Sequence, residues 1–277
     1  MTRRFQLAVC SIPRNDPIDP CIEAIAEAGR RGADMIVLPE EPDIVAQKSP
    51  GEFVLEEHPV FQSFRKQGKQ WNIGIVGTLS AKVEEGYANT GFVLNRQGEL
   101  TGIYRKKHPA PSEEAIVTTS VTGDPFPVFD FEGVTLGIAI CMDIHFPEQF
   151  RIYGLKGADL VCLPTMYLDY TGDMLESLEK ARAIDSQMFL ALSRYIEKPF
   201  LAGKSMGYAK VIAPDGRVIA STAHEEGIAI AEFDPKWRMP FWGEGYRDMR
   251  EIFDKIRRPD LYTEITKLTK HASSEQP

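Results

Sequence analysis

The sequence predicts an α/β protein built as two half-domains packed sheet on sheet with helices outside, and three observations lead there. The first is an internal echo: Gly32-Ala33-Asp34-Met35-Ile36-Val37-Leu38-Pro39-Glu40 returns as Gly157-Ala158-Asp159-Leu160-Val161-Cys162-Leu163-Pro164-Thr165, each time after a helical stretch. The second is the character of these segments, short apolar runs that suit strands covered on both faces. The third is the order of the elements beyond each copy. Each half continues with a strand and then a hairpin, with Gln97-Gly98 in the first turn and Asp215-Gly216 in the second. Neither half alone reads as a complete two-sided domain, so the two must cover each other.

In chain order, Phe5 to Cys10 reads as a strand, and Cys21 to Arg31 is apolar at helical spacing. Gly32 then stops the helix, Met35 to Leu38 forms a buried strand, and Glu40 places an acid at its end. Ile73 to Leu79 is a strand, and the hairpin beyond it closes with Thr101 to Arg105, leading into Lys106. The run from Val134 to Ile140 delivers Cys141 to an abrupt break marked by Asp143 and His145, and Pro147 opens a helix to about Gly154. The second half ends with strand Met188 to Leu192 and the hairpin Val211 to Ile219. Residues 1–277 are read as a single domain, with a sandwich core over about 1–233. A C-terminal extension over about 234–277 carries Trp237, Phe241, Trp242, Tyr246 and Phe253 and is expected at an oligomer interface.

Composition narrows the function classes. A chain of 277 residues, 43% hydrophobic, can bury a sizeable core, while a net charge of -8 argues against a nucleic-acid or anionic membrane surface. No apolar run approaches the ~20 residues of a membrane span, and Met1-Thr2-Arg3-Arg4 leads into a strand rather than a signal-peptide core, so a cytoplasmic location is expected. Cys10, Cys21, Cys141 and Cys162 show no CxxC spacing and suggest neither zinc nor a disulfide framework.

A thiol at a strand end facing a helix start sits where an open α/β sheet places its ligands. Alone, Cys141 reads as a structural cysteine. Its company changes that, because Glu40, Lys106 and Cys141 each end a strand of the expected sheets and can meet at one rim. A reacting thiol with a free pKa near ~8.5 needs a cation or a base, and this trio has both. Glu41 and Lys107 are read as solvated neighbours, Asp143 as the cap of the following helix, and Cys162 as core. His108 and His145 lack the HxH or HxxxH spacing of a metal site.

The words Leu38-Pro39-Glu40, Tyr104-Arg105-Lys106-Lys107-His108 and Cys141-Met142-Asp143-Ile144-His145-Phe146-Pro147-Glu148 resemble the nitrilase superfamily of carbon-nitrogen hydrolases. Supporting phrases are Tyr87-Ala88-Asn89-Thr90, Ala181-Arg182-Ala183-Ile184-Asp185 and Arg258-Pro259-Asp260-Leu261-Tyr262. The resemblance covers nearly the whole chain. It implies a four-layer αββα sandwich, with Cys141 as nucleophile, Glu40 as general base, Lys106 beside the oxyanion and the Met142 N–H as second oxyanion donor. It also implies a second acid, at the spacing of Glu114 with Glu113 beside it. No metal or cofactor is implied, and homodimers or larger assemblies are.

Met142 and Asp143 follow the cysteine where true nitrilases usually show Trp and Glu, so the amidase-like branch is expected. The substrate is then an aliphatic amide or ω-amide, cleaved through a cysteine thioester. An N-carbamoyl compound, with Arg194 holding its carboxylate, is the alternative, followed by a nitrile. A non-enzymatic ligand-binding or assembly module on the same fold is the rival class.

Overall fold

The computed structural model describes residues 4–46, 50–84, 86–110, 124–166, 173–196, 208–223, 225–241 and 247–267. In the first half, β1 (Phe5–Pro13) leads to α1 (Ile18–Arg30), β2 (Met35–Val37), the single turn α2 (Pro42–Val45), α3 (Pro59–Trp71), β3 (Gly74–Val83), and the hairpin of β4 (Gly86–Leu94) and β5 (Leu100–Arg105). The second half runs β6 (Phe129–Phe131), β7 (Val134–Ile138), α4 (Pro147–Leu155), β8 (Leu160–Pro164), α5 (Asp173–Ser186), β9 (Phe189–Ile196), β10 (Lys210–Ile212), β11 (Val218–Ser221) and β12 (Gly227–Phe233).

The strands form two leaves. One has the order β12-β1-β2-β3-β4-β5 and the other β6-β7-β8-β9-β10-β11, joined where Ser11 to Pro13 of β1 pair in parallel with Arg194 to Ile196 of β9. Between the leaves lies a core that includes Leu7, Val9, Met35, Val37, Val76 and Val93 from one side and Leu136, Ile138, Leu160, Cys162 and Val211 from the other. A second cluster packs α1 and α3 on the outer face of the first leaf through Ile25, Phe61, Phe64 and Phe92. A third packs α4 and α5 on the second leaf through Phe150, Tyr153, Val161 and Leu190. These are the four layers αββα, and each large side chain buried in them contributes ~1.5–3 kcal/mol.

The echo is structural as well as verbal. Gly32 and Gly157 both take φ near +80°, a conformation that costs other residues, and each turns the chain out of its helix (φ 77° and 81°). Asp34 then accepts the Gln6 N–H at 2.8 Å, and Asp159 accepts the Thr135 N–H at 2.9 Å. The match extends beyond the sequence reading, since β12 flanks β1 antiparallel as β6 flanks β7. Both flanking strands escaped notice. β6 is three residues long, and in β12 the intervening Ile228 and Ile230 are as apolar as the buried Ala229 and Ala231, which hides the alternation in the sequence.

Several boundaries differ from expectation, and β1, β3 and β9 each run three or four residues further, to Pro13, Val83 and Ile196. The run toward Cys141 leaves the strand at Ile138 rather than Ile140, and α1 begins at Ile18 rather than Cys21. No helix among the described residues is long and apolar enough to cross a membrane. Residues 1–238 form one compact unit and 239–277 a second. The second holds α6 (Met249–Ile256), whose Asp248 side chain caps it by accepting the Glu251 N–H at 3.0 Å.

Candidate active site

Beyond β7 the backbone breaks into a 3₁₀ turn, Cys141–His145, and Cys141 enters it at φ 45°. A non-glycine residue held there costs ~1–3 kcal/mol and persists only where its surroundings over-determine it. Here they do. The Asp143 N–H bonds the Ile140 carbonyl at 3.0 Å, the Ile140 N–H bonds Asp143 Oδ2 at 2.8 Å, and Arg182 Nε donates to the Ile144 carbonyl at 2.8 Å. The turn holds Cys141, three residues past the end of β7, in the space between the leaves. Cys141 is 8% exposed, whereas the other three cysteines are 0% exposed. Burial is the main force raising its thiol pKa, with the Glu40 charge adding to it. Lys106, the Thr165 hydroxyl and the Met166 amide pull the other way.

Glu40 arrives from the other leaf. Leu38 continues the β2 pairing by donating its N–H to the Val76 carbonyl at 2.8 Å, and Tyr195 Oη donates to the Glu40 carbonyl at 2.7 Å. Glu41 then turns the chain at φ 44°, with its N–H on Thr78 Oγ1 at 2.8 Å. The Glu40 carboxylate accepts from Asn89 Nδ2 and Lys106 Nζ, both at 2.8 Å on Oε1, and from the Met166 N–H at 3.0 Å on Oε2. Lys106 follows β5, and its N–H bonds the Asn89 carbonyl at 3.0 Å, so Lys106 and Asn89 stand opposite each other and face the same side. Glu40, Lys106 and Asn89 are all buried, which makes each of these hydrogen bonds necessary to a charge or amide cut off from water.

A second network ties the lysine's strand to the cysteine's turn. Buried Asp143 accepts from Tyr104 Oη at 2.7 Å, from the His108 N–H at 3.2 Å and from the Ile140 N–H, while His108 Nδ1 lies 2.7 Å from its Oδ1. The His108 ring stacks on Phe146, centroids 3.7 Å apart and planes 9° from parallel. Tyr104 and His108 flank Lys106, and Asp143 belongs to the turn that begins at Cys141. One carboxylate therefore sets the register between them.

The structure thus brings together Glu40, Lys106 and Cys141. Glu113 and Glu114 lie outside the described residues. Asp143 does cap, but its bond closes the 3₁₀ turn and not α4. Cys162 is core, as expected. Glu41 is not a solvated neighbour. It is 5% exposed because the tight turn after Glu40 folds it back against β3. Lys107 is half-buried, its pKa lowered by burial and by Arg105. Arg194 is 1% exposed and ion-paired with Glu179, which also meets Lys210 at 2.8 Å, so it is engaged in a buried structural cluster instead of awaiting a substrate carboxylate. His145 is exposed, and no cluster of metal-ligating side chains occurs among the described residues. Sequence reasoning missed Thr165 and Met166 beside the thiol. Thr165 had a signal, since it ends the second copy of the repeated phrase where the first copy has Glu40.

A family model described as carbon-nitrogen hydrolase matches residues 15–238. The chain belongs to that family. Among relatives of this carbon-nitrogen hydrolase is the chloroplastic omega-amidase of Arabidopsis thaliana, 30% identical over 259 residues, 83% of this chain and 68% of that one. The omega-amidase of Mus musculus is 28% identical over 94% of this chain and 95% of its own. The deaminated glutathione amidase of Rattus norvegicus is 28% identical over 95% and 85%. An amidase from Nesterenkonia sp. has the same fold, with a TM-score of 0.76 at 21% identity, covering 96% of this chain and 97% of that one. The carbon-nitrogen hydrolase is of the nitrilase superfamily and its amidase-like branch, an enzyme that cleaves the C–N bond of a small amide.

Proposed function

We propose that Cys141 attacks the carbonyl carbon of a linear amide while Glu40 takes its proton, giving a thioester and releasing ammonia or an amine. The observation that carries this is the Glu40 carboxylate held by Lys106, Asn89 and the Met166 N–H beside a cysteine held just past the end of its strand. The thiol pKa is raised by burial and by Glu40, so the sulfur is not a standing thiolate at neutral pH and must give up its proton as it attacks. Lys106 and the Met142 N–H stabilise the oxyanion. Glu40 then passes its proton to the leaving nitrogen and, ionised again, draws a proton from the water that hydrolyses the thioester.

For the substrate we favour an ω-amide, an amide at the end of a short chain that carries a carboxylate. The relatives bearing the name omega-amidase support this, and the engagement of Arg194 by Glu179 removes the feature that had favoured a carbamoyl compound. We also favour a cytoplasmic homodimer or larger assembly; in the unit 239–277, Ile256, Leu261 and Ile265 are exposed and give such an interface apolar surface. The test is intact-protein mass spectrometry after rapid mixing with a panel of ω-amides, simple amides, nitriles and carbamoyl compounds. The expected result is an acyl adduct on Cys141 from an ω-amide, absent in Cys141→Ala. Adducts from the carbamoyl compounds alone would overturn the substrate class, and turnover by Cys141→Ala would overturn the mechanism.

A further inference from the structure

Asn89 lies within the phrase Tyr87-Ala88-Asn89-Thr90, and its side chain has two ends with different fates. Nδ2 donates to Glu40 Oε1 at 2.8 Å. A carboxylate that already takes hydrogen bonds from Lys106 and the Met166 N–H offers only lone pairs, so the nitrogen of Asn89 must face it and the amide cannot be flipped. That leaves Oδ1 as an acceptor. It is shut off from solvent, on a residue 1% exposed, and no hydrogen-bond donor among the described residues meets it. A buried acceptor left unsatisfied is unfavourable and calls for an explanation.

The explanation lies in its neighbours. Asn89 stands opposite Lys106 on the face turned toward the second leaf, and its other end grips the proposed base. Resting on the function proposed above, the leaving nitrogen must come within reach of Glu40 to receive its proton, and that nitrogen carries N–H groups needing an acceptor. We infer that Asn89 Oδ1 accepts a hydrogen bond from the N–H of the scissile amide, which makes Asn89 a further catalytic residue. In the tetrahedral adduct the C–N bond breaks and its electron pair stays on nitrogen. The proton that Glu40 took from Cys141 passes to that nitrogen, and the oxyanion re-forms the carbonyl of the thioester. With one N–H held by Oδ1 throughout, the nitrogen lone pair is kept toward Glu40, and the growing positive charge on nitrogen strengthens the hydrogen bond.

An ester of the same acid separates this role from support of Glu40, because its leaving oxygen has no hydrogen to donate. The experiment compares kcat/KM for an ω-amide and the matching methyl ester in the unmutated protein, Asn89→Leu and Asn89→Ala, with the second variant serving if the first does not fold. Loss of the grip on Glu40 slows both substrates. Loss of Oδ1 slows the amide only, so the amide-to-ester ratio is expected to fall about tenfold or more. A ratio within twofold of the unmutated value would overturn the role of Oδ1 while leaving the proposed function standing. If intact mass shows that the unmutated protein acylates on neither substrate, the proposed function falls and the assignment with it.

Discussion

Replacing Asp143 with alanine should damage stability and turnover together, by amounts set by its partners. The substitution strands the Ile140 N–H, at 2.8 Å, and the Tyr104 hydroxyl, at 2.7 Å, both in the buried interior. Each donor left unpaired costs ~1–3 kcal/mol, so about 2–6 kcal/mol is lost from these two, whereas the half-buried His108 has a ring that can turn to water and a longer N–H bond of 3.2 Å, and adds less. For a unit of this size each kcal/mol lowers Tm by roughly 2–4 °C, which puts the fall on the order of 10 °C. Turnover suffers because Tyr104 and His108 flank Lys106, and Ile140 precedes Cys141. A displacement of about 1 Å between those segments costs ~10² in kcat, with KM changed little. The assay pairs thermal melting with steady-state kinetics on the ω-amide. Asp143→Asn, with one acceptor oxygen in place of two, should fall between, and Tyr104→Phe should lose ~1 kcal/mol. An Asp143→Ala protein that melted within about 2 °C of the unmutated one and kept kcat within about threefold would refute the clamp.

Glu40→Gln keeps the shape but cannot take a proton and should lose ~10² or more in kcat. Glu41→Gln, one residue along, should cost less than about tenfold in kcat, and equal losses would show that the base has been misassigned. Lys106→Met should slow hydrolysis far more than alkylation of the free enzyme by iodoacetamide, because only hydrolysis develops an oxyanion and Lys106 Nζ also holds Glu40 at 2.8 Å. A ratio of the two losses near one would sink the oxyanion role. Iodoacetamide should label Cys141 alone, the other thiols being fully buried. Because burial and Glu40 raise the Cys141 pKa, its thiolate fraction still grows with pH above the free-cysteine value. The labelling rate should therefore keep rising to the alkaline limit of the fold, and a plateau near pH ~8.5 would contradict the raised pKa.

What could be read from the chain was whatever repeats or ends a strand. The Gly-Ala-Asp phrase identified both half-domains because its aspartate makes the same backbone bond twice, and Glu40, Lys106 and Cys141 stood out as polar residues closing apolar runs. Single-residue reversals were not legible. Cys141 and Glu41 take positive φ, and although Asp143 marks the break after Cys141, the left-handed backbone itself depends in part on bonds with distant residues, Arg182 to the Ile144 carbonyl and the Glu41 N–H to Thr78. Arg194 misled for a related reason, since a strand-end arginine reads the same whether its partner is a substrate or Glu179 on a helix earlier in the chain. Asn89 was legible as a word and not as a role, because the empty side of its amide exists only once Glu40 has taken the other.

Glu40, Asn89 and Lys106 ride on one leaf and Cys141 on the other, and besides the Asp143 bonds their spacing rests on a largely apolar layer that includes Val37, Val93, Leu136 and Ile138. Reactivity here is in that sense a matter of clearance. Trimming Val93 or Ile138 would leave every reacting atom present and yet let the leaves settle closer or slide, and an offset of about 1 Å already costs ~10² in rate. The protein can thus be silenced from its dry interior, folded and outwardly unchanged, by substitutions that a survey of polar residues alone would pass over.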